Sequence, residues 1–289
     1  MTTDTGFNRE HVPMPEGRLS VIVEGPAQAP PVLLLSGAGV DSATLSWRHL
    51  IPDLAKDHRV IALDWPKQGR STPWEGVADH PVLQRCVIAA LDHYGIERAA
   101  VVGLSQGGAL TLATAIDHPD RVERIVPIAP GGILAFPPVA HQFLWLSAKS
   151  RLLNTTLPEM MFSSRRRVES FLAKGLFPTP APDQEQVIDE LMVEVEANGA
   201  SSSDWQNNSI GFWRMNVDLR PRLGQISCPA LFIQGDKDVG VRPMDTLRAA
   251  KAAPGARIEL LAGHGHWPNR QSPDKVNRLV RDFLTEPGS

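Results

Sequence analysis

Three residue types in this chain, each on a loop that follows an apolar run, have the spacing to do chemistry together: a hydroxyl, a carboxylate and an imidazole. The hydroxyl lies in Gly103-Leu104-Ser105-Gln106-Gly107-Gly108, which follows Ala99-Ala100-Val101-Val102 and precedes a helical pattern over 109–118. A serine with small residues two positions to either side, set between a strand and a helix, has the pattern of a nucleophile elbow. The turn is so tight that the central residue must take a strained backbone conformation, and glycine neighbours let strand and helix approach closely. Such a turn lifts the Ser105 hydroxyl above the sheet. It also sets the Gln106 N–H at a helix N-terminus, where it can donate to a developing oxyanion. The plainer reading is a glycine-rich connection with an incidental serine; it leaves the strand before and the helix after unexplained.

A serine hydroxyl is a poor nucleophile until a base removes its proton, and that base needs a carboxylate to fix its tautomer. Both follow in the chain. Leu231-Phe232-Ile233-Gln234-Gly235-Asp236-Lys237-Asp238 reads as a strand ending in glycine and then two acids. Leu260-Leu261-Ala262-Gly263-His264-Gly265-His266-Trp267 reads as a strand running into a glycine loop with two histidines. The residues themselves leave open which acid and which histidine act.

These loops need a scaffold, and the chain supplies an alternating one. Short runs rich in Val, Ile and Leu at 19–24, 31–36, 59–64, 98–104, 124–129, 230–235 and 257–261 predict strands. Amphipathic segments at 45–56, 81–94, 107–118, 244–253 and 274–284 predict helices, the last starting beside Ser272-Pro273. Alternation of this kind predicts a mainly parallel sheet flanked by helices. It breaks after Pro130-Gly131-Gly132 and resumes near Cys228-Pro229, so residues 133–225 read as a helical cap between core segments 1–132 and 226–289. The cap region holds 9 of the 17 aromatic residues, as a lid over a pocket would, although ordinary core packing gives the same bias. Arg165-Arg166-Arg167 reads as a solvated face.

Composition narrows the partners. The 289 residues are 42% hydrophobic, enough for one large core, and the net charge of −3 offers no global field for nucleic acid or an anionic membrane. A small-molecule substrate is expected. Residues 1–10 lack the basic and apolar runs of a secretory signal, and no 18-residue apolar stretch occurs. Cys86 and Cys228 have no metal or redox spacing and read as buried thiols of a cytoplasmic protein. His264 and His266 without a third ligand make a weak metal site, so no metal or other cofactor is expected.

With these motifs in hand, the chain resembles the α/β-hydrolase fold family, specifically its capped esterase, haloperoxidase-like and carbon-carbon hydrolase group. The resemblance implies an α/β fold with a mostly parallel central sheet and a helical cap inserted after the sixth strand. The family acid lies three residues after the strand-ending glycine, which implies Asp238. The family histidine is followed by an aromatic, a small residue or proline, and a proline seven positions on; Trp267, Pro268 and Pro273 imply His266, leaving His264 as a loop or pocket residue. Leu35-Ser36-Gly37-Ala38-Gly39 resembles the oxyanion loop, with Ser36 where histidine is usual, and by position implies the Ala38 N–H as a donor beside that of Gln106. Asp64-Trp65-Pro66-Lys67-Gln68-Gly69-Arg70-Ser71 resembles a further family loop, with Lys67 where glycine is usual.

The expected activity is hydrolysis of an ester-type bond (carboxylic ester, lactone or thioester) in a moderately sized apolar molecule, through an acyl-enzyme on Ser105. Catalytic Ser105, Asp238 and His266, oxyanion donors Ala38 and Gln106, and substrate contacts at Gly37, Trp145, Trp213 and Trp267 make up the expected site. The protein is expected as a monomer or homodimer. Carbon-carbon bond hydrolysis is the alternative within the fold, since Trp267 after the histidine also occurs in that subfamily, whose longer glycine-proline oxyanion signature is missing here. A non-catalytic ligand-binding module is the alternative outside catalysis, against which all three catalytic residues stand. A dinucleotide oxidoreductase would use Gly37-Ala38-Gly39 and Asp64, but Ser42 replaces the third glycine.

Overall fold

A computed structural model describes residues 6–286. Eight strands form one sheet: β1 (Arg9–Met14), β2 (Gly17–Glu24), β3 (Pro31–Leu35), β4 (Arg59–Leu63), β5 (Ala99–Leu104), β6 (Val122–Ile128), β7 (Leu231–Gly235) and β8 (Arg257–Leu261), in the order β1-β2-β4-β3-β5-β6-β7-β8. The β1/β2 and β2/β4 pairs are antiparallel and the others parallel. The seven apolar runs read from the sequence all become strands. β1 escapes that reading because its sequence, Arg-Glu-His-Val-Pro-Met, buries only Val12 and shows no apolar run. It occupies part of the segment read only for a leader; residues 1–5 lie outside the described residues.

Burial follows strand position. All six residues of β5 are buried, as both faces of a parallel sheet are covered by helices. β8 is the sheet edge, and four of its five residues are not buried, so its apolar sequence does not mark a central strand.

The helices begin with α1 (Ala43–Trp47), α2 (Leu50–Leu54), α3 (His80–His93) and α4 (Gln106–Asp117). The single helix expected over 45–56 is split because Pro52 has no N–H to donate to the carbonyl four residues back and its ring crowds that carbonyl. α4 is buried on almost every side, whereas the terminal α12 (Pro273–Thr285) buries a stripe of Val276, Asn277, Val280, Phe283 and Leu284 at helical spacing. α10 (Pro243–Ala252) and the short α11 (Pro268–Gln271) precede it.

Between β6 and β7 the described chain holds helices and turns with no strand: α5 (Pro138–Lys149), α6 (Leu157–Met161), α7 (Arg165–Phe171), α8 (Gln184–Asn198) and α9 (Asp204–Ser209). A wide π-type turn at Leu152–Thr156 leads into α6, and a second at Leu172–Leu176 leads from α7 to the loop before α8. With β1 counted, this segment follows the sixth strand. Buried ion pairs fasten it to the sheet layer. Arg270, wholly buried, donates to Asp183 at 2.6 Å and to Glu190 at 3.0 Å. Arg48 pairs with Glu190, and His49 Nε2 donates to Asp183 at 2.7 Å. The Arg165 guanidinium, exposed as expected of the basic run, pairs with Glu185 and Asp189.

Candidate active site

The strand order places the site. From β3 the chain moves to β4 on one side, then returns to β5 on the other, so the loops after β3 and β5 diverge and leave a crevice at the carboxyl ends of the strands. Leu35 pairs in register with Gly103, which sets the Gly37 loop directly beside the Ser105 turn.

Ser105 has φ 53° and ψ −110°, a conformation L side chains rarely adopt, and it immediately precedes α4. The neighbouring glycines are required by contact. A Cβ on Gly103 would lie 2.3 Å from the Gly107 carbonyl oxygen, and one on Gly107 would lie 2.1 Å from the Leu35 carbonyl oxygen. The Ser105 N–H donates to Ile128 O at 2.9 Å, and Ser105 O accepts from Gly131 and Ala109, so the strained turn is held from both sides.

Asp238 and His266 come from the ends of β7 and β8, paired at Gly235 and Leu261. His266 Nδ1 donates to Asp238 Oδ2 at 2.8 Å. That carboxylate also accepts from the Gln234 amide at 2.9 Å, from Gly240 N–H at 2.7 Å and from Val241 N–H at 2.9 Å. Burial alone would raise the Asp238 carboxyl; the His266 hydrogen bond and charge, with the Val241 N–H and the Gln234 amide, outweigh it and hold it below the ordinary carboxylate range. The other two candidates shape the loop. Asp236 Oδ1 accepts from Gly263 N–H at 2.7 Å, while His264 donates from Nδ1 to Ala262 O at 2.8 Å and accepts at Nε2 from the Ser272 hydroxyl at 2.7 Å.

Ser105 and His266 line one cavity of about 280 Å³, and the Nε2 of His266 is left without a hydrogen-bond partner among the described residues. No bond within 3.5 Å joins it to the Ser105 hydroxyl there; catalytic pairs of this kind often close only around substrate. Gly37, Ala38 and Gly39 form one wall, a Cβ built on Gly37 lying 3.7 Å from that of Ser105. The Ala38 and Gln106 N–H groups donate to no group among the described residues, whereas the Gly37 N–H is taken by Asp41 Oδ2 at 2.6 Å.

Of the four expected substrate contacts, the structure brings Gly37 and Trp267 to the cavity and leaves two away from it. Trp213 is 82% exposed, and Trp145 packs edge-on against Phe212 with ring centroids 4.9 Å apart. An aromatic side chain in a helical segment is as able to face solvent or a neighbour as a pocket, and nothing in their spacing separates these cases. The apolar wall comes instead from Met161, Phe162, Phe171, Leu176 and Leu191. Two further residues give no sequence signal: Asp41, and Gln68, whose side chain donates to Gly39 O at 2.7 Å. Lys67 holds φ 67°, so a lysine takes the conformation for which glycine is usual at that loop position, and its Nζ pairs with Asp204 at 2.7 Å. Asp64, the ribose ligand of the dinucleotide reading, is instead paired with Arg9 at 2.7 Å and accepts from Ala43 N–H at 2.8 Å.

A sequence model described as the alpha/beta hydrolase fold matches residues 30–273. The chain belongs to the α/β-hydrolase fold family. It is 30% identical over 268 residues to 2-hydroxy-6-oxo-6-phenylhexa-2,4-dienoate hydrolase of Comamonas testosteroni, covering 88% of this chain and 87% of that protein. It is 29% identical over 266 residues to 2-hydroxy-6-oxononadienedioate/2-hydroxy-6-oxononatrienedioate hydrolase 1 of Dechloromonas aromatica, covering 88% and 86%. Among solved structures, the enol-lactonase of Burkholderia xenovorans superposes with a TM-score of 0.75 at 24% identity, over 96% of this chain and 100% of that one, a likeness of fold. Like those proteins, this member of the family is a hydrolase.

Proposed function

We infer that this α/β-hydrolase cleaves an ester-type bond in a neutral, apolar molecule of moderate size, with Ser105 as nucleophile, His266 as base and Asp238 as the group that orients it. One observation carries the reading: a strained serine shares a cavity with an imidazole whose other nitrogen is fixed on a buried carboxylate. Asp238 holds the His266 proton on Nδ1, so Nε2 is the basic nitrogen. It takes the Ser105 proton as Oγ bonds to the substrate carbonyl carbon. The carbonyl oxygen, now anionic, accepts from the Ala38 and Gln106 N–H groups, which need no reorganisation to meet it. His266 then gives the proton to the departing alcohol, leaving an acyl-enzyme. Water, deprotonated by the same nitrogen, attacks the acyl carbon and releases the acid and Ser105.

The cavity lining argues for the substrate class. Its members are Gly, Ala, Val, Leu, Pro, Met, Phe and Trp with Ser105, Ser202, Gln206 and His266, and no lysine, arginine or carboxylate is among them. The relatives above are named for dienoate and dienedioate compounds, which carry carboxylates. A carboxylate entering this cavity would lose its hydration without a counter-charge, a costly exchange. Neutral esters and lactones meet no such cost. Residues 133–225 act as the lid of this cavity, since Pro158, Met161, Phe162, Phe171, Leu176 and Leu191 all line it.

Carbon-carbon bond hydrolysis is the second reading, favoured by the relatives' names and by Trp267, which follows His266 and lines the cavity. A p-nitrophenyl ester series from acetate to decanoate, run beside a 2-hydroxy-6-oxo-dienoate, separates the two. Turnover of the neutral esters with no cleavage of the dienoate is expected. Dienoate cleavage at a higher kcat/KM than any ester would replace the first reading with the second.

A further inference from the structure

Behind the cavity wall lies a buried carboxyl group that the mechanism above does not use. Asp41 has no solvent exposure, yet its carboxylate is fully engaged. Oδ2 accepts from Gly37 N–H at 2.6 Å and from the Ser46 hydroxyl at 2.6 Å, and Oδ1 accepts from Ser42 N–H at 2.7 Å. Contact is so close that a Cβ on Gly37 would sit 2.7 Å from Oδ2. The carbonyl side of the same loop is held separately, by the Gln68 amide, which donates to Gly39 O at 2.7 Å and reaches Asp41 O at 3.2 Å and Gly37 O at 3.3 Å.

We propose that Asp41 is the positioning residue of the oxyanion loop: by binding the Gly37 N–H it turns that peptide away from the cavity and leaves the next N–H, that of Ala38, free to meet the oxyanion. The inference rests on the hydrolase reading for its effect on turnover, but the anchoring itself does not. A carboxylate that holds the first of two consecutive N–H groups on a tight loop fixes the plane of that peptide, and with it the direction in which the next N–H points. Keeping a charged acceptor here is costly: burial pushes the Asp41 carboxyl up to about 7, against the Ser46, Gly37 and Ser42 hydrogen bonds and the charge of Arg270, all of which draw it down. A loop with only a structural task could be held by a neutral acceptor.

Asp41→Asn tests this with little change of shape. One of its two terminal atoms becomes a donor, and in either orientation that donor faces a backbone N–H, of Gly37 or of Ser42. The readouts are kcat and KM on p-nitrophenyl butyrate and amide hydrogen exchange of the peptide spanning 35–47. Asp41→Asn is expected to lower kcat about 10²-fold, the effect of losing one oxyanion donor, with KM held within about threefold. Exchange should rise in that peptide and stay level in β5. Ser46→Ala, which removes one of the three donors and keeps the carboxylate, should shift both readouts the same way by less, roughly three- to tenfold in kcat. A kcat within about threefold of the parent, a KM that rises in step with the loss, or unchanged exchange would overturn the proposal. If Asp41→Asn does not fold, Ser46→Ala decides alone, and no change in its kcat and exchange is the overturning result. Should the parent show no ester turnover, the hydrolase reading fails and the exchange measurement still judges the anchoring.

Discussion

At the carboxyl ends of β3, β5, β7 and β8, the side chains that meet in the cavity are set by backbone. Leu35 is locked to Gly103 and Gly235 to Leu261 by strand register, and glycines at 103 and 107 bring a helix against the sheet at distances no Cβ would survive. The helices between β6 and β7 contribute the rest of that cavity by another means. They are fastened by their own carboxylates: Asp183 accepts from Arg270 and His49, Glu190 pairs with Arg48 and Arg270, and Glu194 accepts from the Gly69 N–H at 2.8 Å. Beyond those anchors they expose apolar side chains: Val139 at 81%, Phe143 and Leu152 at 64% and Trp213 at 82%. The difference teaches that the two sides of the cavity have separate physical supports, one in the ladder of the sheet and one in a set of ion pairs built around the wholly buried Arg270.

Breaking the sheet side should cost the most. Ser105→Ala removes the proposed nucleophile, and a loss of about 10⁴-fold or more in kcat on a p-nitrophenyl ester is expected, with an unchanged thermal midpoint. Asp238→Asn should lose about 10³- to 10⁴-fold in kcat, because an amide can hold the imidazole in the wrong tautomer. The same variant should change acid stability. Asp238 is held below its ordinary value in the folded chain, so its contribution is present above the unfolded value and disappears as pH falls toward the lowered one. Urea midpoints measured from pH 6 downward should therefore fall less steeply in the variant than in the parent.

Breaking the helical side should show in stability first. Arg270→Met takes from the partly buried Asp183 and Glu190 their shared partner and is expected to cost about 2 kcal/mol in urea unfolding. A subtler effect belongs to Glu194, whose carboxyl is raised to about 7 by burial despite the Gly69 and Asn198 hydrogen bonds. The folded chain then binds more protons than the unfolded chain between the ordinary carboxylate value and about 7, so stability falls as pH rises through that window. Glu194→Gln should flatten this slope without abolishing it, since Asp41 has the same sign. The smallest effect is expected from Trp213→Ala: within about 0.5 kcal/mol in stability and about twofold in kcat/KM on short esters, since its ring stands outside the cavity.

The same division explains what the sequence made legible. The elbow around Ser105 was readable because its geometry is dictated by local sterics that only glycines satisfy, and the apolar strand runs other than the exposed edge strand β8 because burial on both faces demands them. β1 was not readable, since an antiparallel edge strand with one buried side chain has no pattern to show. In residues 133–225 the aromatic bias was visible but the facing of each ring was not: Phe162 and Phe171 reach the cavity while Trp145 and Trp213 do not. Asp41 looks in sequence like any acid on a glycine loop, and only its complete burial among three donors distinguishes it.

The central claim is that Ser105 is made nucleophilic by His266. Incubation with a fluorophosphonate, followed by intact mass and peptide mapping, tests it most directly. The account predicts one adduct, on Ser105, absent from Ser105→Ala and slowed at least about 10³-fold in His266→Ala. A folded parent protein that takes no label, or takes it on another residue, would contradict it.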